Sequence, residues 1–312
     1  MSISLQGKVA IVTGSGAGLG AAYAKALAAA GAAVIVNDVS ADAANAVVAE
    51  ITTAGGRATA VIAPVGSAEA AQQLVDTAVT EFGRLDILVN NAGILRDKSL
   101  LKMTDEDFDL VINVHLRGTF TATRAAFAYF KEHEVAGRII SIGSPTGQRG
   151  NFGQTNYAAA KSGIVGMTRT WAIEMKKAGV TANVVVPVAA TAMTKTIPYF
   201  AAAVEATERG EAMHPFFRHD LGFGTPEDVA GLIVWLASDA AQSVTGQVLE
   251  AGGDRLRLWS HPEAIETWYH EGGWQADTIE TELGGEIAGR LQSVGEPPWP
   301  ALPAELDRSQ QG

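Results

Sequence analysis

No cysteine occurs among the 312 residues, which excludes disulfide frameworks, thiolate zinc sites and thiol nucleophiles. Cations are scarce too: 23 Lys and Arg stand against 34 Asp and Glu, a formal net charge of -11. A chain this acidic repels polyanions, and no basic stripe offsets the excess, so nucleic acid is not expected as a partner. Long apolar runs are also missing. None approaches the roughly 18 residues of a membrane span, and residues 1–10 carry no basic stretch followed by an apolar one. The expectation is a soluble, unexported, cytoplasmic protein that does not engage a membrane. His133, His214, His219, His261 and His270 fall in no ligand spacing such as H-E-x-x-H, and no metal is expected.

What the chain does have is a 47% hydrophobic composition with 34 glycines, the reverse of a disordered composition. Residues 1–253 alternate short β-branched runs with Ala-rich helical stretches, the pattern of repeated βαβ units around a parallel sheet buried on both faces. Strands are read at 8–13, 33–37, 58–62, 86–89, 138–142, 181–186 and 247–250, giving one doubly wound α/β domain with a seven-stranded parallel sheet. After residue 253 the character changes. Residues 254–312 hold four of the six tryptophans (Trp259, Trp268, Trp274 and Trp299), five of the eleven prolines, and 4 basic against 11 acidic residues. This aromatic, acidic extension is too short for a domain of its own. It is expected to pack on its own domain or on a neighbouring subunit, with short helices around 262–270 and 277–291.

Thr13-Gly14-Ser15-Gly16-Ala17-Gly18-Leu19-Gly20 follows the first strand and opens an Ala-rich helical stretch. Glycines there let the backbone turn tightly and approach a pyrophosphate, while the helix N-terminus offers free N–H groups and a positive dipole end. The plainer alternative is a flexible turn, but placement after a strand and before a helix favours a Rossmann-type dinucleotide site. Asp38 ends the second strand, 18 residues after Gly20, where a carboxylate accepts hydrogen bonds from the adenosine ribose hydroxyls and repels a 2′-phosphate. It could instead cap the next helix, as could Ser40 or Asp42. The cofactor is read as NAD rather than NADP.

Tyr157-Ala-Ala-Ala-Lys161 lies in a helical pattern, so the phenol and the ammonium share a face. A nearby cation lowers a tyrosine pKa from about 10 and makes it a usable acid/base near neutrality. Alone, this spacing also describes a solvated helix face. Together with the glycine loop, with Asn90-Asn91-Ala92-Gly93 after the fourth strand and with Ser144 thirteen residues before the tyrosine, it resembles the short-chain dehydrogenase/reductase family over residues 1 to 253.

That resemblance implies hydride transfer between a nicotinamide and a carbonyl or secondary alcohol. Tyr157 would be the acid/base, Ser144 would hold the substrate oxygen, and Lys161 would bind the nicotinamide ribose. It also implies cofactor contacts at Gly14, Gly18, Leu19, Gly20, Asn91, Ala92, Gly93, Pro187, Val188, Thr191 and Met193. Three positions depart from the family pattern. His115 stands in the slot of a relay asparagine, where it either relays protons or is satisfied by a backbone carbonyl. Pro64 replaces an adenine-contacting Asp, and Pro187-Val188 replaces Pro-Gly, leaving only the Val188 backbone for the carboxamide. The stretches Asn90 to Ser99, His115 to Gly118 and Gly150 to Gln154 resemble the (3R)-hydroxyacyl-CoA dehydrogenase and 17β-hydroxysteroid dehydrogenase subgroup, with actinobacterial members tied to sterol side-chain degradation.

Residues 191–224 mix Met193, Ile197, Tyr199, Phe200, Met213, Phe216 and Phe217 with few charges, an apolar lid suited to acyl chains or steroids, or one that simply packs on the domain. Expected pocket residues are Ser144, Arg96, Gln154, Met193 and Phe216, with Arg96, Lys98, Lys102 and Arg149 available to a coenzyme A ester. The leading reading is an NAD-dependent enzyme interconverting a secondary alcohol and a ketone, on 3-hydroxyacyl-CoA or a hydroxysteroid. The alternatives are a 3-oxoacyl-carrier-protein reductase, which would use NADPH and disagrees with Asp38, and a non-catalytic NAD-sensing or scaffolding protein, which would have no need of Ser144, Tyr157 and Lys161 together. Family likeness further implies a homodimer or homotetramer paired through helices at 104–131 and 155–178, with Ala125, Ala126, Ala158, Ala159 and Gly166 allowing close approach.

Overall fold

Buried β-branched runs build one sheet: Val9–Thr13 (β1), Ala33–Asp38 (β2), Arg57–Ile62 (β3), Ile87–Asn90 (β4), Arg138–Ile142 (β5), Thr181–Pro187 (β6), Val248–Gly252 (β7) and Arg255–Leu258 (β8). The computed structural model describes residues 3–191, 194–303 and 306. Strand order is β3-β2-β1-β4-β5-β6-β7-β8. Every residue of β1, β5 and β7 is buried, because helices cover both faces. On one face lie Gly18–Ala29 (α1), Ala41–Thr53 (α2) and, much later in the chain, Pro226–Ala237; their core includes Leu27, Val36, Ile51 and Ile233. On the other lie Ala68–Phe82 (α3) and two long helices described next, around Leu74, Val75, Phe130 and Trp171.

The stretch expected as one helix over 104–131 divides into three. Asp105–Val111 (α4) starts with a Thr104–Asp107 capping box, Ile112–Arg117 forms a π-helical segment, and Gly118–Glu132 (α5) continues on the same course. After β5 come Pro145–Arg149 (α6) and Thr155–Glu174 (α7), then Pro198–Glu208 (α8) and Pro226–Ala237 (α9). The sheet order reverses between β1 and β4, so the loops leaving their carboxyl ends diverge and open a crevice there. Ala126, expected at a subunit contact, is fully buried in its own core beside Phe130, so it is not available to a partner.

The seven-stranded parallel sheet is corrected to eight strands, the last antiparallel and supplied by the C-terminal extension. Arg255-Leu-Arg-Leu258 pairs with β7 so that Glu250 sits opposite Arg257. The buried Glu250 carboxylate takes Arg255 at 3.2 Å, Arg257 at 3.3 Å and the Trp259 indole N–H at 3.1 Å. Of the two helices expected in the extension, the second is present as Ala276–Thr278 (α10), a π-helical turn at Ile279–Leu283, and Gly284–Ala288 (α11). Residues 262–270 form no helix; nearly all are exposed, and a short helix without a buried face is marginal in water. No helix among the described residues is long and apolar enough to cross a membrane.

Candidate active site

At the crevice, the loop after β1 is locked to the loop after β4. Thr13 Oγ1 accepts the N–H groups of Asn91 at 3.0 Å and Ala92 at 3.1 Å, and the Asn91 amide donates to the carbonyls of Thr13 and Gly14 at 2.9 Å each. Gly14, at φ +61, faces Ala92 so closely that a Cβ would lie 2.7 Å from its Cα. Gly18, at φ +54, opens α1 and has free space where a Cβ would project. Ala17 before it gives no side-chain cap, so the first N–H groups of α1 remain for a ligand. Leu19 packs on the core beneath, and a Cβ at Gly20 would overlap Gly14. This cradle fits a dinucleotide pyrophosphate.

Asp38 ends β2 beside the cradle. Its Oδ2 accepts from Gly16 N–H and its Oδ1 from Ser40 N–H, both at 3.0 Å. The cap of α2 is Ser40, whose Oγ accepts from Ala43 N–H at 3.3 Å, so Asp38 is not the capping residue. No lysine or arginine occurs between residues 26 and 56 to attract a 2′-phosphate.

The predicted proton-transfer residues converge at the carboxyl end of β5. Ser144 caps α6, its Oγ accepting from Thr146 N–H at 3.2 Å, and its side chain lies near enough to the Tyr157 phenol to favour the ionised form. Tyr157 and Lys161 lie on the first two turns of α7. Lys161 Nζ donates to the Ile142 carbonyl at 2.6 Å and lies 5.5 Å from the Tyr157 ring centre. Burial pulls the Lys161 ammonium down to about 7. The expected lowering of the phenol pKa is corrected: burial pushes Tyr157 up, outweighing the nearby Ser144 side chain, and the Asp97 charge adds to the rise.

His115 sits in the π segment, a feature that often marks functional sites. Its ring is 2% exposed and stands edge-on to Tyr157, centres 5.2 Å apart. Nε2 lies 2.8 Å from the Ile94 carbonyl oxygen and 3.0 Å from the Ile94 amide nitrogen, while Nδ1 has no partner. Burial first, then the Lys161 charge, bring its pKa down to about 3, so the ring is neutral. Gly93 is needed beside it, since a Cβ there would overlap the imidazole.

Other expected positions divide. Gln154 is fully engaged: Oε1 accepts from Thr146 Oγ1 at 3.1 Å and Asn151 Nδ2 at 3.0 Å, and Nε2 donates to Asp97 at 2.8 Å. It braces the Ser144 loop against the loop after β4. Arg96 is exposed, with its guanidinium on the Leu95 carbonyl at 2.8 Å. Pro187 ends β6, but both Val188 backbone groups are occupied, the N–H by Ala251 at 2.9 Å and the carbonyl by Gly224 N–H at 3.2 Å. The Val188 carbonyl keeps a second lone pair, so only its N–H is closed to the expected carboxamide. Thr191 N–H bonds Thr194 Oγ1 at 2.8 Å in a local turn. Phe216 packs edge-on to Phe217 beneath the lid, and Met193 lies outside the described residues.

Asn156 carries no sequence signal of its own, yet it is fully buried. Its amide donates to the carbonyls of Arg96 at 3.2 Å and Asp107 at 3.1 Å, and its Oδ1 accepts from Tyr157 N–H at 2.7 Å. One side chain thus ties the loop after β4 and helix α4 to the backbone of the tyrosine. Among the described residues no group of three or more His, Asp or Glu is placed to hold a metal ion.

Comparison with known proteins agrees with this geometry. The family model for short chain dehydrogenases matches residues 8–200. Hydroxyacyl-CoA dehydrogenase ChsB1 of Mycobacterium tuberculosis is 40% identical over 299 residues, 92% of this chain and 90% of that protein. The peroxisomal hydratase-dehydrogenase-epimerase of Neurospora crassa is 42% identical over 316 residues, 97% of this chain; the chain spans only 32% of that relative's length. A 3-oxoacyl-acyl-carrier-protein reductase of Synechocystis sp. is 45% identical over 253 residues, 80% of this chain and 97% of that protein. A crystal structure of a short chain dehydrogenase from Mycobacterium avium superimposes with TM-score 0.78 at 38% identity, covering 93% of this chain and 98% of that one.

Proposed function

Because the chain belongs to the short-chain dehydrogenase family, and so is a nicotinamide-dependent oxidoreductase acting on CH–OH groups, we propose that it uses NAD and interconverts 3-hydroxyacyl-CoA and 3-oxoacyl-CoA esters. The observation that carries the redox part is the convergence of Ser144, Tyr157 and Lys161 beside the cradle. Asp38 supports NAD, because its carboxylate is held by Gly16 and Ser40 facing the space where a 2′-phosphate would have to sit. The substrate class is supported by the names of relatives that match most of this chain; the lid phenylalanines Phe200, Phe217 and Phe223 are buried against one another.

Bound NAD supplies the acceptor or donor of hydride. The chain's residues handle the oxygen and its proton. Ser144 Oγ hydrogen-bonds the substrate oxygen and fixes it against Tyr157. In ketone reduction the Tyr157 phenol, kept protonated by burial, donates its proton to that oxygen; in alcohol oxidation the phenolate takes it back. Lys161, buried and drawn to about 7, stabilises the phenolate when protonated and exchanges protons near neutral pH. His115 holds the Ile94 backbone in place through Nε2, and its buried Nδ1 is left without a partner beside the edge of Tyr157.

Turnover of (R)-3-hydroxyacyl-CoA, steroid and carrier-protein thioester panels with NAD+ and NADP+ tests this reading. Oxidation of the CoA esters with NAD+ is expected. Activity confined to carrier-protein thioesters with NADPH would replace it by the reductase reading, which the Synechocystis relative favours. Pairing of two copies through α4, α5 and α7 is also part of the proposal, since Phe108, Leu110, Phe120 and Ile173 lie exposed there; a monomeric mass by light scattering would contradict it.

A further inference from the structure

We infer that Asn156 is a positioning residue: it clamps the loop leaving β4 and helix α4 to the first turn of α7, and so fixes where the Tyr157 phenol meets the substrate oxygen. The inference rests on the reading of Tyr157 as the acid/base given above. Tyr157 stands in the first turn of α7, where backbone N–H groups have no partner within the helix. The carbonyl four residues back, at Gly153, is taken by Lys98 N–H at 2.9 Å. Asn156 Oδ1 supplies the missing acceptor, at 2.7 Å from Tyr157 N. The first bond of the helical ladder comes one residue later, from Ala158 N–H to the Gln154 carbonyl at 2.7 Å. The backbone of the tyrosine is therefore held by a side chain and not by its own helix.

That side chain answers to two other segments. Its amide hydrogens go to the Arg96 carbonyl in the loop, at 3.2 Å, and to the Asp107 carbonyl in α4, at 3.1 Å. Two neighbouring loop residues are tied to the same place: the Asp97 carboxylate accepts from Gln154 Nε2 at 2.8 Å, and Lys98 Nζ pairs with Asp107 at 2.7 Å. Those two side-chain ties are exposed, where water competes for them, whereas Asn156 is fully buried and its bonds cannot be exchanged for water without cost. The loop reaches the reacting group from its other end as well, since Ile94 is held by His115, whose ring stands edge-on to Tyr157. Loop, α4 and tyrosine thus share one buried amide, which needs two donors and an acceptor on a short stem. Aspartate has the shape but no donor, and would set a carboxylate oxygen against two carbonyls; serine keeps an acceptor for Tyr157 N–H but is too short to bridge both. The three bonds of Asn156 run to Tyr157, Arg96 and Asp107, none of them in the glycine cradle of residues 13–20.

The test is kcat with NAD+ and an (R)-3-hydroxyacyl-CoA ester in H2O and in D2O, together with NAD titration, for the full-length protein and for its Asn156→Asp and Asn156→Ser variants. Asn156→Asp is expected to lower kcat on the order of 10- to 100-fold, the effect of displacing a reacting group by about 1 Å. Asn156→Ser should lower it less, and it carries the test if the aspartate variant does not fold. In the folded variants NAD affinity should stay close to that of the unaltered protein, while the solvent isotope effect on kcat rises because proton transfer has become the slow step. A purely structural role would reduce the fraction of protein that binds NAD by the same factor as kcat and leave the isotope effect where it was; that result overturns the inference. So does a kcat unchanged in both variants, which leaves the acid/base reading of Tyr157 standing. No turnover by the unaltered protein overturns both.

Discussion

Replacing Asp38 by asparagine should collapse the proposed preference for NAD over NADP. A 2′-phosphate carries about 1.5 to 2 negative charges, and opposite it stands one carboxylate fixed by Gly16 and Ser40. At about 5 Å, and with an effective dielectric between 20 and 80, each pair of unit charges repels by roughly 1 to 3 kcal/mol. The total is about 2 to 5 kcal/mol, a factor of roughly 30 to several thousand in relative kcat/KM. Asparagine keeps the shape and one acceptor but removes the charge, so the ratio of kcat/KM with NAD+ to that with NADP+ should drop by at least about tenfold. Because Asp38 is partly exposed, the wild-type ratio should also shrink as salt is raised. Equal wild-type kcat/KM with both cofactors, or a ratio that asparagine leaves untouched, would refute the electrostatic argument.

Tyr157→Phe should cut kcat by about 10²- to 10⁴-fold while NAD binding, followed by titration, stays within a few-fold, because the transferable proton goes and no phosphate contact does. If most of kcat survives, the acid/base assignment moves to His115. For Lys161 the folded pKa of about 7 lies below its ordinary 10.5, so between these values the unfolded chain holds the extra proton. Stability to urea should therefore rise with pH across that window, and Lys161→Met should flatten the rise; a parallel dependence in the variant would count against it. Arg255→Ala combined with Arg257→Ala leaves the Glu250 carboxylate with only the Trp259 N–H, and should cost on the order of 3 kcal/mol of unfolding free energy. Adding Glu250→Gln should recover part of that loss, and no recovery would mean that the arginines act by packing alone.

Strands β1, β2, β4, β5 and β6 were legible almost to the residue, because a strand buried on both faces must be written in continuous Val, Ile and Ala. β8 was not, because Arg255-Leu-Arg-Leu258 is an edge strand whose charges become intelligible only once Glu250 lies opposite them. The helix expected over 262–270 had suitable residues but no surface to bury against. At the site, the residue types and spacing of Gly14 to Gly20, Ser144, Tyr157 and Lys161 were sufficient to bring them together on the page and in space. Spacing could not reveal that burial would outweigh the neighbouring cation at Tyr157, since desolvation belongs to the packed molecule. Nor could it single out Asn156, whose three hydrogen bonds join segments 49 and 60 residues away with the tyrosine next to it.

The π-helical segment between α4 and α5 makes length, rather than residue identity, the sensitive variable at this point of the chain. A π turn holds one residue more than the α-helical turn it replaces. If one of residues 112–117 were lost, the helix could run on regularly, with Val111 and Ala126 still directed inward as they are now. His115 would not keep its place: its ring would leave the Ile94 backbone and the edge of Tyr157, to which only the widened turn now delivers it. The scaffold would lose the contacts of the segment itself, Leu116 on the core beside Ile164 and Arg117 Nε on the Gly66 carbonyl, while the site would lose one wall. A deletion here is thus a lesion whose cost in turnover would exceed its cost in stability.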